Sequence, residues 1–87
     1  METTNNITIV DVRTQEEFLD GHFPNAINIP LDQVAQKINE FKKMLKPIIV
    51  YCRSGNRSGI AVSILKQHGI VDALNGGGLD DLTQNTK

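Results

Sequence analysis

Apolar and polar positions along this chain follow two alternating periods. Ile7 to Val12 (ITIVDV) is rich in β-branched residues and predicts a strand. Thr14 and Glu17 then stand at the spacing of a capping box, so a short helical turn is expected, with Phe18 and Leu19 as its apolar contacts and Gly21 at its end. The stretch HFPNAINIP is turn-rich, with a short strand expected over Ala26 to Ile29. Leu31, Val34, Ile38, Phe41 and Leu45 recur at spacings of three and four, which predicts one helix with a single apolar stripe. Lys42, Lys43 and Lys46 lie near its C-terminal end, where cations suit the helix dipole, and Pro47 stops it.

Ile48 to Tyr51 (IIVY) is a short apolar run of the kind expected for a strand covered on both faces. A second helical pattern runs from Ser58 to His68, with Ile60, Ala61, Ile64 and Leu65 expected inward and Gly69 as C-terminal cap. Ile70 to Leu74 is the last expected strand, Gly76 to Gly78 reads as a turn, and the remainder is at most one helical turn and a polar tail. Strands separated by helices through short linkers predict an α/β domain: a small, mainly parallel sheet flanked by helices on both faces.

Length and charge narrow the function classes. Eighty-seven residues make one domain, with residues 1–6 and 83–87 expected to be flexible. The net charge of −1 disfavours nucleic acid as a partner, because phosphate binding needs a basic surface. One cysteine permits no internal disulfide and no thiolate metal cage, so no metal and no cofactor are expected. The polar start METTNN has no signal-peptide pattern, and no apolar run is long enough to span a membrane. These features point to a cytoplasmic monomer.

The candidate chemistry lies in Tyr51-Cys52-Arg53-Ser54-Gly55-Asn56-Arg57-Ser58-Gly59, between a buried strand and a helix. Ligands of open α/β sheets bind at the carboxyl ends of strands. A loop of small residues there can curl so that successive N–H groups share a centre, with Gly55 easing the curl. Ser58 is placed to cap the helix, whose N-terminus adds partial positive charge, and Arg53 and Arg57 add two full charges. Cys52 opens this anion cradle. A free thiol, with a pKa of about 8.5, is mostly protonated at neutral pH. A fall of two units is worth about 2.7 kcal/mol and makes the nucleophilic thiolate the main species.

The loop CRSGNRS resembles the active-site loop of the rhodanese family, Cys-x-x-Gly-x-Arg followed by a small residue. Asp11-Val12-Arg13 with Glu17-Phe18 resembles the first family motif, and Gly21-His22-Phe23-Pro24-Asn25-Ala26-Ile27-Asn28-Ile29-Pro30 resembles the stretch that follows it. The resemblance implies a rhodanese-like fold and a thiosulfate sulfurtransferase that holds sulfur as a Cys52 persulfide. It implies thiosulfate or another persulfide donor as the small sulfur source, and cyanide or a thiol such as glutathione or thioredoxin as acceptor. Arg53, Ser54, Gly55, Asn56, Arg57 and Ser58 are then expected to line the substrate cradle, with Arg53 drawing the donor's sulfonate. Arg57 is expected to close the loop by pairing with an acidic residue of the first motif, Asp11 being the first candidate, and Asp11, Arg13 and His22 to give structural support. The sequence departs from the family at its short N-terminus, at Leu82 where Trp is usual, and in its clipped final helix.

Two other functions are weighed. Cysteine-dependent phosphatases and arsenate reductases use a Cys-to-Arg loop one residue longer than the four residues between Cys52 and Arg57. A non-catalytic interaction module usually lacks the cysteine that is present here.

Overall fold

Residues 7–79 are described in a computed structural model. Strands β1 (Thr8–Asp11), β2 (Ile27–Asn28), β3 (Ile48–Cys52) and β4 (Ala73–Gly78) form one sheet in the order β2-β1-β3-β4, with every pair parallel. Helix α1 (Gln15–Leu19) joins β1 to β2, α2 (Leu31–Val34) and α3 (Ile38–Lys42) join β2 to β3, and α4 (Asn56–Gln67) joins β3 to β4. The α/β class and the parallel sheet are as the sequence predicts. Among the described residues no helix is long and apolar enough to cross a membrane. Expectations for residues 1–6, Leu82 and 83–87 lie outside the described residues.

The two-residue period of the strands sorts their side chains onto opposite faces. Val10, Val12, Ile48, Val50 and Cys52 join the main core, where they meet Val34, Phe41, Ala61 and Leu65 from the helical connections. Phe41 and Leu65 are fully buried, and each such side chain contributes about 2–3 kcal/mol of apolar burial. The other face presents Asp11 and Tyr51, which are register partners. The stretch Arg13–Phe23, which carries α1, closes over it: Arg13 reaches Asp11, and the Phe23 amide donates to the Tyr51 hydroxyl at 3.0 Å.

Three expectations need correction. The single helix over Leu31 to Leu45 is divided, with a 3-10 turn at Ala35–Lys37 between α2 and α3. Val34, Ile38 and Phe41 still reach the core, but α3 ends at Lys42 and Leu45 is left exposed. In α4 the buried stripe is Ser58, Ala61, Val62 and Leu65, a regular i, i+3, i+4, i+7 set, and Ile60 faces solvent. Gly76 to Gly78 do not make a turn: they lie in β4, which begins at Ala73 rather than Ile70. Tyr51 pairs with Gly77 after Val50 pairs with Asn75, so Gly76 is the extra residue of a bulge. A Cβ on Gly78 would collide with the Arg53 carbonyl oxygen, so only glycine lets β4 pass this close to the loop.

Candidate active site around Cys52

β3 ends at Cys52 and α4 begins at Asn56, so the loop has three residues in which to reverse direction. Gly55 takes φ +97° and ψ −9°, a left-handed conformation that glycine adopts without strain, and serves as the N-cap. The turn aims the Gly55 N–H at Cys52 Sγ at 3.0 Å, and the Ser58 N–H of the first helical turn donates to the same sulfur at 3.4 Å. The thiol lies 3.5 Å from Ser58 Oγ and donates to it, while the Ser58 hydroxyl donates to Asn75 Oδ1 at 2.7 Å. Cys52 is 1% exposed and belongs to the apolar core, yet its sulfur is met by peptide hydrogens. Burial pushes the Cys52 thiol up. The Ser58 hydroxyl and the amides of Ser58, Ser54 and Gly55 outweigh that cost, and the thiol lies below its ordinary value.

Ser58 is therefore not the helix cap expected of it. Gly55 holds that position, and Ser58 is the third residue of α4, fully buried against the sulfur. Arg57 is not paired with Asp11. It forms a two-pronged pair with Glu17, Nη1 to Oε1 at 2.8 Å and Nη2 to Oε2 at 3.1 Å. Asp11 is unavailable to it, because both its oxygens are taken by Arg13 and Tyr51. The Arg57 guanidinium, with help from the Thr14 amide, holds the Glu17 carboxyl down at about 2. Glu17 closes the capping box of α1 at the same time, so one carboxylate ties the start of α1 to the start of α4.

Arg53 is exposed, and its side chain lines a recess of about 300 Å³ with Arg13, Glu17, Asp20, Gly21 and Leu79. Ser54 and Asn56 are exposed at the loop rim. Asp11 accepts from Arg13 Nε at 3.0 Å, from Arg13 Nη2 at 2.7 Å and from the Tyr51 hydroxyl at 2.7 Å. Burial, reinforced by Asp11, pushes the Tyr51 phenol up to about 12, so it stays a donor. His22 is exposed, stacks on Phe18 at 3.7 Å and donates Nδ1–H to the Phe18 carbonyl, which makes it a local brace of α1.

One participant escapes the sequence-based site, and a second stands behind Asp11 among the acidic residues of the first motif. Asn75 reaches the loop from β4, and Glu17 is the partner of Arg57. A polar residue directly before three glycines is the only signal for Asn75, whereas Glu17 is marked by its cap and by its place in the first motif. Among the described residues, no three of His, Cys, Asp or Glu converge as metal ligands.

The family profile described as Rhodanese-like domain matches residues 1–82. Thiosulfate sulfurtransferase PspE of Escherichia coli (strain K12) is 38% identical over 74 residues, 84% of this chain and 71% of its own length. The uncharacterized protein YqhL of Bacillus subtilis is 40% identical over 67 residues, 77% of this chain and 52% of its own length, so this chain spans about half of YqhL. A solved rhodanese with anions from E. coli superposes with a TM-score of 0.78 at 37% identity, covering 86% of this chain and 89% of that one.

Proposed function

This chain belongs to the rhodanese-like domain family, and from that premise we propose that it is a sulfurtransferase carrying sulfane sulfur as a persulfide on Cys52. The observation that carries the proposal is the convergence of the Gly55 and Ser58 N–H groups on Cys52 Sγ, at 3.0 and 3.4 Å. Inward amides at a helix N-terminus favour an anion there, first a thiolate and then a terminal persulfide sulfur. The names of relatives such as PspE support the same reading.

With thiosulfate as donor, the Cys52 thiolate attacks the outer sulfur. A bond forms between Sγ and that sulfur, the sulfur–sulfur bond of thiosulfate breaks, and sulfite leaves with the electron pair. The terminal sulfur then carries the negative charge. Cyanide, or a thiolate acceptor, attacks it, and the Sγ–S electron pair returns to Cys52. Cyanide leaves as thiocyanate, while a thiolate leaves as a persulfide. Arg53, exposed beside the recess, draws the donor anion toward the loop. Ser54, Gly55, Asn56 and Ser58 form the wall of the cradle, and Arg57 holds its outer end through Glu17.

A phosphatase needs its loop arginine turned to the phosphate. Arg57 is instead committed to Glu17, and only four residues separate it from Cys52, which supports one-sulfur chemistry. A thiosulfate:cyanide assay tests the proposal. Wild type is expected to form thiocyanate, Cys52→Ser to form none, and neither to hydrolyse an aryl phosphate. Equal thiocyanate formation by the two proteins, or Cys52-dependent phosphate release, would overturn it.

A further inference from the structure

The two residues whose N–H groups meet Cys52 Sγ are also the two loop residues held by Asn75. Asn75 Nδ2 donates to the Gly55 carbonyl at 3.1 Å, and Asn75 Oδ1 accepts from the Ser58 hydroxyl at 2.7 Å. The same oxygen accepts from the Gly77 N–H at 2.9 Å. The orientation of the amide follows from its neighbours, since Gly77 N–H can only donate and Gly55 C=O can only accept. Two glycines make room for the arrangement. A Cβ on Gly59 would stand 3.3 Å from Asn75 Nδ2, and one on Gly55 would stand 3.3 Å from Gly77 Cα.

We propose that Asn75 is a positioning residue for the sulfur site, holding Gly55 and Ser58 so that their N–H groups converge on Cys52 Sγ. This inference rests on Cys52 being the sulfur carrier. Asn75 directly precedes the bulge of β4 at Gly76, and from there its side chain reaches Gly55 and Ser58. The contact with the Gly55 carbonyl fixes the peptide that follows the left-handed turn. The contact with Ser58 fixes the hydroxyl nearest the sulfur.

Asn75 also gives Ser58 two positions. With Cys52 protonated, the thiol donates to Ser58 Oγ and the Ser58 hydroxyl donates to Asn75 Oδ1. When Cys52 loses its proton to solvent, the hydroxyl hydrogen turns from Asn75 to the sulfur. Asn75 Oδ1 keeps the Gly77 N–H, so no acceptor is stranded by the change. One seryl hydroxyl thus serves both protonation states without a movement of the backbone.

Thiolate absorbance in the ultraviolet, titrated against a Cys52→Ser blank, reads this directly because Cys52 is the only cysteine. In Asn75→Ala the Ser58 hydroxyl loses a competing acceptor, which acts downward, but the loosened Gly55 and Ser58 amides act upward and dominate. The midpoint is therefore expected to rise by about one pH unit, which is about tenfold less thiolate at a fixed pH below both midpoints. Asn75→Asp keeps the acceptor for Ser58 and Gly77 but sets an oxygen against the Gly55 carbonyl, and its midpoint is expected to rise as well. Leu74→Ala, exposed on the same strand, is expected to leave the midpoint in place. The titration needs no sulfur donor, so it is independent of sulfur transfer. An unmoved midpoint in folded Asn75→Ala or Asn75→Asp that still loads sulfur overturns this inference alone. If Asn75→Ala does not fold, Asn75→Ser, neutral and too short to reach both Gly55 and Ser58, decides: its midpoint is expected to rise, and an unmoved one overturns the inference.

Discussion

Arg57 grips Glu17 with both terminal guanidinium nitrogens, at 2.8 and 3.1 Å, and so fastens the first turn of the loop helix to α1. The pair is a quarter to a third exposed, and solvent screens it. Glu17→Gln keeps an oxygen for the α1 cap and removes the charge. It is expected to cost about 1 kcal/mol at neutral pH. The Glu17 carboxyl is depressed from 4.5 to about 2, so its contribution is fully present above 4.5 and is lost as pH falls toward 2. Urea midpoints of the two proteins should differ at pH 7 and converge in that acid window.

Cys52 follows the same rule of sign. Its folded value lies below the ordinary thiol value, so the ionised sulfur adds stability that is fully present above that ordinary value and is lost as pH falls through the folded one. The rate of sulfur uptake from thiosulfate is expected to follow the thiolate and fall over that same lower range. Ser58→Ala removes the nearest hydroxyl and should raise the midpoint of the rate profile while costing about 1 kcal/mol of sulfur-anion stabilisation. An unchanged profile would mean that the hydroxyl does not serve the anion.

Beneath the loop, Asp11, Arg13 and Tyr51 form a buried polar group on the second face of the sheet. Arg13→Met leaves the Asp11 carboxylate without its cation and is expected to cost about 3–5 kcal/mol. Tyr51→Phe removes one donor to Asp11 and should cost about 1–2 kcal/mol. Domains of this size hold only about 5–15 kcal/mol in total, so the first variant should be largely unfolded by mild denaturant and the second should not. Equal losses would show that the ion pair is not the stronger tie.

The parts of this architecture that were legible in sequence are those written in apolar side chains. β1 and β3 announce themselves through ITIVDV and IIVY, and Cys52 falls at the strand end where an α/β sheet binds ligands. The rest is written in residues that carry no apolar signal. The buried stripe of α4 begins at Ser58, a polar residue drawn inward by the sulfur, so a count of apolar positions starts instead at Ile60 and points it the wrong way. β4 is half glycine, and its pairing with β3 and its approach to Arg53 leave no pattern of side chains to read. Glu17 rather than Asp11 is the partner of Arg57 because Asp11 is already held by Arg13 and Tyr51, and chain order does not show that.

Arg53 supplies a test of how the donor arrives. Its exposed guanidinium stands at the recess, unlike Arg57, which is neutralised by Glu17. Arg53→Ala is expected to raise the KM for thiosulfate about three- to tenfold, with little change in kcat, and to flatten the dependence of kcat/KM on salt. Steady-state kinetics at low and high ionic strength would check this, and a KM equal to wild type at both would remove Arg53 from donor capture.

Intact-protein mass after incubation with thiosulfate tests sulfur carriage most directly. The wild-type chain is expected to gain the mass of one sulfur atom, to lose it on addition of cyanide, and to gain nothing once Cys52 is replaced by Ser. A wild-type mass that does not change, or an equal gain in the Ser variant, would contradict a persulfide on Cys52.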